Sequence, residues 1–359
     1  MHLRRLTPVI ISGLCLWTLL LAGCAAETQT TTENQRYSNT EVPYRPGFGT
    51  FVKGFWNMLT SDNKEGVPTK PIPVIPITHQ QLVNETQDVV YRLGHSTVLM
   101  KLGSQWILTD PMFSERASPM QWVGPKRFHP VPIQIKDLPP IDVVLISHSH
   151  YDHLDEASVK ALIPKVGQFL VPEKIDQILL GWGVPKDKVH RFKWWQSTQI
   201  GTTTFVFTPA QHFSGRSMFD QNKTLWGGWV IKGQQHRLYY SGDSGYFHGF
   251  KKIGDQYGPF DVALLEDGQY SHNWPVIHMF PKQVVQASLD LRAKVLLPVH
   301  NSTFQLSDHA WYAPLKDTLA ASQKRGVTMI APEFGQRYEI GKPLPIQQWW
   351  NPMPMAHTI

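Results

Sequence analysis

The stretch Ser147-His148-Ser149-His150-Tyr151-Asp152-His153-Leu154-Asp155 constrains this chain more than any other. It follows Ile141-Asp142-Val143-Val144-Leu145-Ile146, an apolar, β-branched run that predicts a buried strand, so the histidines fall on the loop at the strand's carboxyl end. That is where α/β folds carry chemistry. Three imidazoles and a carboxylate packed this closely are costly to bury unless they share a ligand, and a metal satisfies all of them at once. In an extended loop His148 and His150 point the same way toward one cation, which leaves Asp152 and His153 to turn toward a second. The spacing predicts two adjacent metals.

Two metals need more donors than one loop offers. Three candidates follow, each just past a predicted strand: His212 after Phe205-Val206-Phe207-Thr208, Asp243 after Leu238-Tyr239-Tyr240, and His300 after Val295-Leu296-Leu297-Pro298-Val299. The recurrence of one topological position gives the set its weight, because a single histidine after a strand is more often a satisfied core residue. Both cysteines, Cys15 and Cys24, precede residue 25, so any metal in the globular part is held by His, Asp or Glu, which favours hard or borderline ions.

The chain divides by composition. Residues 1–23 carry Arg4-Arg5, an apolar run from Val9 to Ala22, and Leu21-Ala22-Gly23 before Cys24. The run is short for a membrane span and suits an export signal. Residues 24–45 are polar and predict a flexible tether. Residues 46–87 read as an N-terminal extension, in which Phe51, Val52, Phe55, Trp56 and Leu59 recur at helical spacing. Residues 88–343 form the main domain and 344–359 an irregular, Pro- and Trp-rich tail. Within the domain, strands are expected over 89–93, 97–102, 106–109, 141–146, 203–208, 225–231 and 238–240, and helices over 156–162, 281–291 and 314–324, a mixed α/β pattern of two sheet-plus-helix halves. The net charge of +6 falls to +4 without Arg4 and Arg5, and no Lys/Arg run forms a track, so a nucleic-acid partner is not expected.

The order His-x-His-x-Asp-His, His, Asp, His resembles that of the metallo-β-lactamase fold hydrolases. Thr109-Asp110-Pro111, Arg116-Ala117-Ser118-Pro119, Trp194-Trp195, Pro209-Ala210-Gln211-His212, Leu225-Trp226-Gly227-Gly228-Trp229 and Gly242-Asp243-Ser244-Gly245-Tyr246 are similar to the branch that contains the N-acyl-phosphatidylethanolamine-hydrolysing phospholipase D. The resemblance implies a four-layer αβ/βα sandwich holding two zinc ions, with iron or manganese as substitutes. It implies that His148, His150 and His212 hold one ion, that Asp152, His153 and His300 hold the other, and that Asp243 bridges them. Asp152 and Asp243 thereby count as catalytic, Asp110 as a loop-fixing carboxylate, and Tyr151 and His278 as substrate contacts. His95 and His272 rank below these.

The activity implied is phosphodiester cleavage of phospholipids, N-acylphosphatidylethanolamine-like ones included, by a water that two divalent ions share and acidify. Lactones and other carboxylic or thio esters suit the same site, and a non-catalytic binding lipoprotein is the reading from another class. Leu-Ala-Gly-Cys also resembles a bacterial lipobox, which implies export, acylation of Cys24 and attachment to the outer membrane, facing the periplasm. A homodimer is left open.

Overall fold

The computed structural model describes residues 36–45, 47 and 65–351. The expected export signal, Cys24 and the 51–59 segment lie outside these residues.

The alternating apolar strands close into two sheets. In the first, β1 (Val89–Gly94), β2 (Thr97–Leu102) and β3 (Gln105–Thr109) make an antiparallel meander, and β4 (Ile141–Leu145), β5 (Val166–Pro172) and β6 (Val189–Phe192) continue it in parallel. The second sheet contains β7 (Ser197–Ile200), β8 (Thr203–Thr208), β9 (Gly228–Lys232), β10 (Arg237–Tyr240), β11 (Phe260–Glu266) and β12 (Ala293–Val299). The last strand, β13 (Arg337–Glu339), returns to pair with β1, giving the orders β13-β1-β2-β3-β4-β5-β6 and β12-β11-β10-β9-β8-β7.

Six helices lie among the described residues. They are α1 (His79–Val83), α2 (Glu156–Leu162), α3 (Ile175–Gly181), α4 (Gly249–Tyr257), α5 (Pro281–Asp290) and α6 (Ala313–Arg325). Their ends follow from sequence: the Asp155 carboxylate accepts the Ser158 amide ahead of α2, Pro281 opens α5, and Gly326 in the left-handed region stops α6.

Period-two alternation sends each strand's side chains to two different cores. Between the sheets, Val98, Met100, Val143 and Leu145 meet Phe205, Phe207, Trp229 and Leu264. On the outer face of the first sheet, Leu99, Leu108, Val144 and Phe169 cover Val159 and Leu162 of α2 and Ile175 and Leu179 of α3. On the outer face of the second, Tyr239, Ala263, Leu265 and Leu296 cover α4, α5 and α6 through Phe250, Val284, Val285 and Leu315. The result is the expected four-layer αβ/βα sandwich. At about 1.5–3 kcal/mol for each large apolar side chain fully buried, these three layers dominate the stabilisation of the fold.

Several expectations shift. The strand expected from Leu225 begins only at Gly228, because the Trp226 indole is held by the Ala210 carbonyl and the Asn39 side chain. β11 is apolar from Val262 to Leu265 without alternation, and α4 contains Gly249 and Gly254, so neither announces itself by pattern. Gly254 is required by packing, since a Cβ there would lie 2.0 Å from the Asp290 carbonyl oxygen of α5.

The domain also extends past 88–343 at both ends. Ile72, Ile77 and Leu82 are buried, Val74 bridges Phe334, and Trp350 of the tail enters the outer core of the second sheet. Residues 36–45, expected to continue the tether, instead lie along the domain. The Tyr37 amide donates to the Asn222 carbonyl, Gln211 exchanges hydrogen bonds with the Val42 backbone, and Asn222 donates to the Tyr44 carbonyl.

Candidate metal centre

Six loops converge at one edge of the sandwich, and each leaves the carboxyl end of a strand. β1 delivers His95, β3 Asp110, β4 the Ser147–Asp155 loop, β8 His212, β10 Asp243 and β12 His300. Asp243 needs a special approach. Gly242 takes φ +58°, and a Cβ on it would lie 2.6 Å from the Ser147 Cβ and 2.7 Å from the Gly227 carbonyl oxygen.

The donors gather in two main groups. In the first, His148 Nε2 lies 2.8 Å from His150 Nδ1, and His212 Nε2 lies 3.3 Å from the same atom. Asp243 Oδ2 stands 3.7 Å from both His148 Nε2 and His212 Nε2. In the second, Asp152 Oδ2 is 3.2 Å from His300 Nε2 and 3.4 Å from His153 Nε2. Asp243 closes this group too, with Oδ1 3.2 Å from His153 Nε2 and Oδ2 3.1 Å from His300 Nε2. One carboxylate therefore faces both groups. All seven residues that the sequence offered as metal donors are brought together here.

These atoms fit a pair of cations. His153 Nε2 and Asp243 Oδ1 are buried and make no hydrogen bond, which is costly unless a cation takes their lone pairs. The second ring nitrogens of His148, His153 and His212 are engaged elsewhere. His148 Nδ1 meets Ser147 Oγ at 2.9 Å, His153 Nδ1 meets Asp110 Oδ2 at 2.6 Å, and His212 Nδ1 meets the Ile277 carbonyl at 3.0 Å. Such partners fix ring orientation and leave Nε2 to the centre. Asp110 takes up the loop-fixing position, accepting also from the Ser147 amide at 2.7 Å and from the Ser147 and Tyr240 hydroxyls.

Burial pushes His148, His150 and His212 below the ordinary imidazole range, His150 to about 4, so all three are neutral near pH 7. Asp152 and Asp243 experience the same desolvation, which pushes upward. The neighbouring His153 and His300 overcome it and hold both carboxyls well below their usual range. Three neutral imidazoles facing the ionised Asp243 form a cation site; at the second group the charges of Asp243 and Asp152 overcome burial and raise His153 and His300 above the ordinary imidazole range, protons that a second cation would replace.

The two proposed substrate contacts fare differently. The Tyr151 hydroxyl donates to the Arg216 carbonyl at 3.1 Å, and the Arg216 guanidinium sits 3.9 Å over its ring, so the side chain braces the loop after His212. His278 is buried. Its Nδ1 lies 2.8 Å from Glu266 Oε1, and its ring centre lies 5.1 Å from that of His212 and 5.4 Å from that of His300. His272 is exposed, its ring tilted against that of Phe280 at 5.0 Å. His95, ranked low, is fully buried with Nε2 2.9 Å from Asp152 Oδ2. The strand-end rule that found His212 and His300 applies equally to His95. It also applies to Glu266 at the end of β11, a strand whose sequence carries no alternation to mark it.

The beta-lactamase superfamily domain model matches residues 105–301. The chain belongs to the metallo-β-lactamase superfamily. An uncharacterized protein of Mycobacterium tuberculosis is 42% identical over 289 residues, covering 79% of this chain and 77% of that protein. N-acyl-phosphatidylethanolamine-hydrolyzing phospholipase D 1 of Caenorhabditis elegans is 32% identical over 299 residues, covering 78% of this chain and 83% of the relative. Among solved structures, Igni18, a metallo hydrolase of Ignicoccus hospitalis, superimposes with a TM-score of 0.55 at 21% identity, over 70% of this chain and 98% of that one. Within this superfamily the centre is that of a metal-dependent hydrolase. The matched segment contains all seven donors but begins after His95 and after residues 36–45.

Proposed function

We propose that this metallo-hydrolase is a dinuclear zinc phosphodiesterase of phospholipase D type, cleaving N-acylphosphatidylethanolamine-like phospholipids on the headgroup side of the phosphate. The observation that carries the reading is Asp243, whose two oxygens serve both donor groups, so that two ions would be held close enough to act on one phosphate. Similarity to the nematode phospholipase D supports the substrate class.

His148, His150 and His212 would hold one zinc and Asp152, His153 and His300 the other, with Asp243 between them. Such a pair supplies an activated water and neutralises charge on the phosphate oxygens. The chain's own residues do the rest. Asp110 holds the His153 ring through Nδ1, which keeps Nε2 on the centre. Glu266 holds His278 through Nδ1, which leaves His278 Nε2 as the nitrogen available to a substrate oxygen at the centre. Ser147 and Tyr240 are fully buried, which keeps bulk water from the back of the site. We further propose that the chain is exported and lipid-anchored at Cys24, which would put enzyme and substrate on the same bilayer.

The test is release of phosphatidic acid from mixed phospholipid vesicles by the metal-loaded protein, with Asp243→Ala as control and metal content measured. About two zincs per chain and release that vanishes in the control support the reading. A fully loaded protein that leaves phospholipids intact but opens lactones or other esters overturns the substrate class.

A further inference from the structure

His95 stands among the donors of the second group, yet its geometry is not that of the others. His153 and His300 each reach both Asp152 and Asp243, at 3.1–3.4 Å. His95 reaches Asp152 alone, at 2.9 Å, an ordinary N–H···O length, and forms no ion pair with Asp243 among the described residues. A carboxylate oxygen only accepts, so in this hydrogen bond His95 Nε2 is the donor, whereas the Nε2 atoms of His153 and His300 face both carboxylates at once. A protonated Nε2 has no lone pair for a metal.

The backbone places this ring deliberately. His95 takes φ +48°, a conformation that costs a non-glycine residue energy and persists only where its surroundings impose it. Here its amide pairs with Thr303 Oγ1 at 2.7 Å and its carbonyl accepts the His300 amide at 3.0 Å. Its ring packs 4.0 Å from that of His300 and edge-on to Phe304. One residue of the first sheet is thus tied to the His300 loop of the second sheet and to the Asp152 carboxylate of the β4 loop.

We propose that His95 is a positioning residue for the second metal, donating from Nε2 to Asp152 Oδ2 and so aiming that carboxylate at the ion, without itself ligating. The inference rests on the two-metal reading above. It adds to that reading a residue ahead of the matched family segment.

The experiment compares the zinc-loaded full chain with His95→Ala and His95→Gln, the latter having a side-chain amide that can donate to Asp152 but ligates metal poorly. Metals per chain are counted after dialysis against graded chelator, and the cobalt-substituted proteins are followed by visible absorption. Loss of the outer hydrogen bond is expected to weaken the second metal about 10- to 100-fold in His95→Ala. The first metal should be retained. His95→Gln should return toward two metals with the wild-type cobalt spectrum. Two metals held at wild-type affinity by His95→Ala overturn the proposal. So does a His95→Gln protein that loses the second metal or shows a changed cobalt coordination spectrum, because His95 would then be a ligand. If His95→Ala does not fold, the His95→Gln measurement decides alone. A wild type that binds fewer than two metals overturns the two-metal reading together with this one, whereas two metals without phospholipid cleavage overturns the substrate only.

Discussion

The side-chain oxygen of Asn39 accepts the backbone N–H of His212 at 3.0 Å, so the segment ahead of the domain ends on a donor of the metal centre. The same oxygen takes the Trp226 indole N–H at 2.9 Å, and the Asn39 amide donates to the Val42 carbonyl. Asn39→Ala would strand the buried His212 amide, at a cost of about 1–3 kcal/mol. The expected result is a lower unfolding midpoint and faster chelator extraction of the metal that His148, His150 and His212 would hold. Asn39→Asp, which keeps the acceptor, should lose less. Equal extraction rates in the wild type and Asn39→Ala would reduce the contact to a passive one.

Asp110 supports the other side of the centre. Its oxygens accept from the Ser147 amide and hydroxyl, the Tyr240 hydroxyl and His153 Nδ1, all in full burial. Asp110→Asn replaces an acceptor with a donor that faces donors. Stability should fall by about 2–4 kcal/mol, as when a buried charge-assisted network loses its acceptor. Metal affinity should drop about 10-fold or more, because His153 loses the partner that holds its ring. Denaturation of the metal-free and metal-loaded forms separates the two effects.

Gly242 tests the backbone that presents Asp243. A methyl there meets Ser147 and Gly227 at 2.6–2.7 Å, on a residue already in the left-handed region. Gly242→Ala should therefore displace Asp243 and weaken both metals together, unlike Asn39→Ala, which should act on one. A stoichiometry of two metals per chain with unchanged affinity in Gly242→Ala would show that the loop can relax.

The donors are legible because each one sits in the same place: a ligand-type side chain shortly after an apolar strand. His95 obeys that rule and was undervalued for want of a companion, since Gly94-His95-Ser96 reads as a turn between β1 and β2 until His300 and Asp152 are folded onto it. Glu266 was hidden by β11, whose two buried faces remove the alternation that marks a strand. The segment around Asn39 was illegible for another reason. A polar run has the composition of a tether, and what pins this one is a few backbone hydrogen bonds and a single buried amide, none of which has a period.

A buried carboxyl away from the metal donors gives a dependence on pH with a definite sign. Asp267 is fully buried beside Arg92, with Oδ1 accepting the Thr318 hydroxyl at 2.7 Å and Oδ2 making no hydrogen bond. Burial pushes its carboxyl up from 3.8 to about 7, with the Thr318 hydroxyl and the Arg92 charge opposing. Between these values the folded chain keeps a proton that the unfolded chain releases. The protonated form's contribution is therefore complete below pH 4 and is lost as pH rises toward 7, by at most about 1.4 kcal/mol per pH unit. Asp267→Asn keeps an acceptor for Thr318 and has no proton to lose. Guanidinium denaturation between pH 4 and pH 8 should give similar stabilities for the two proteins at pH 4, with the variant gaining over the wild type up to about pH 7 and keeping a constant lead above it. All other titrating groups are common to both chains, so the difference isolates Asp267. Parallel stability curves across that range would mean that Arg92 keeps the carboxylate ionised and that the pair is a buried salt bridge.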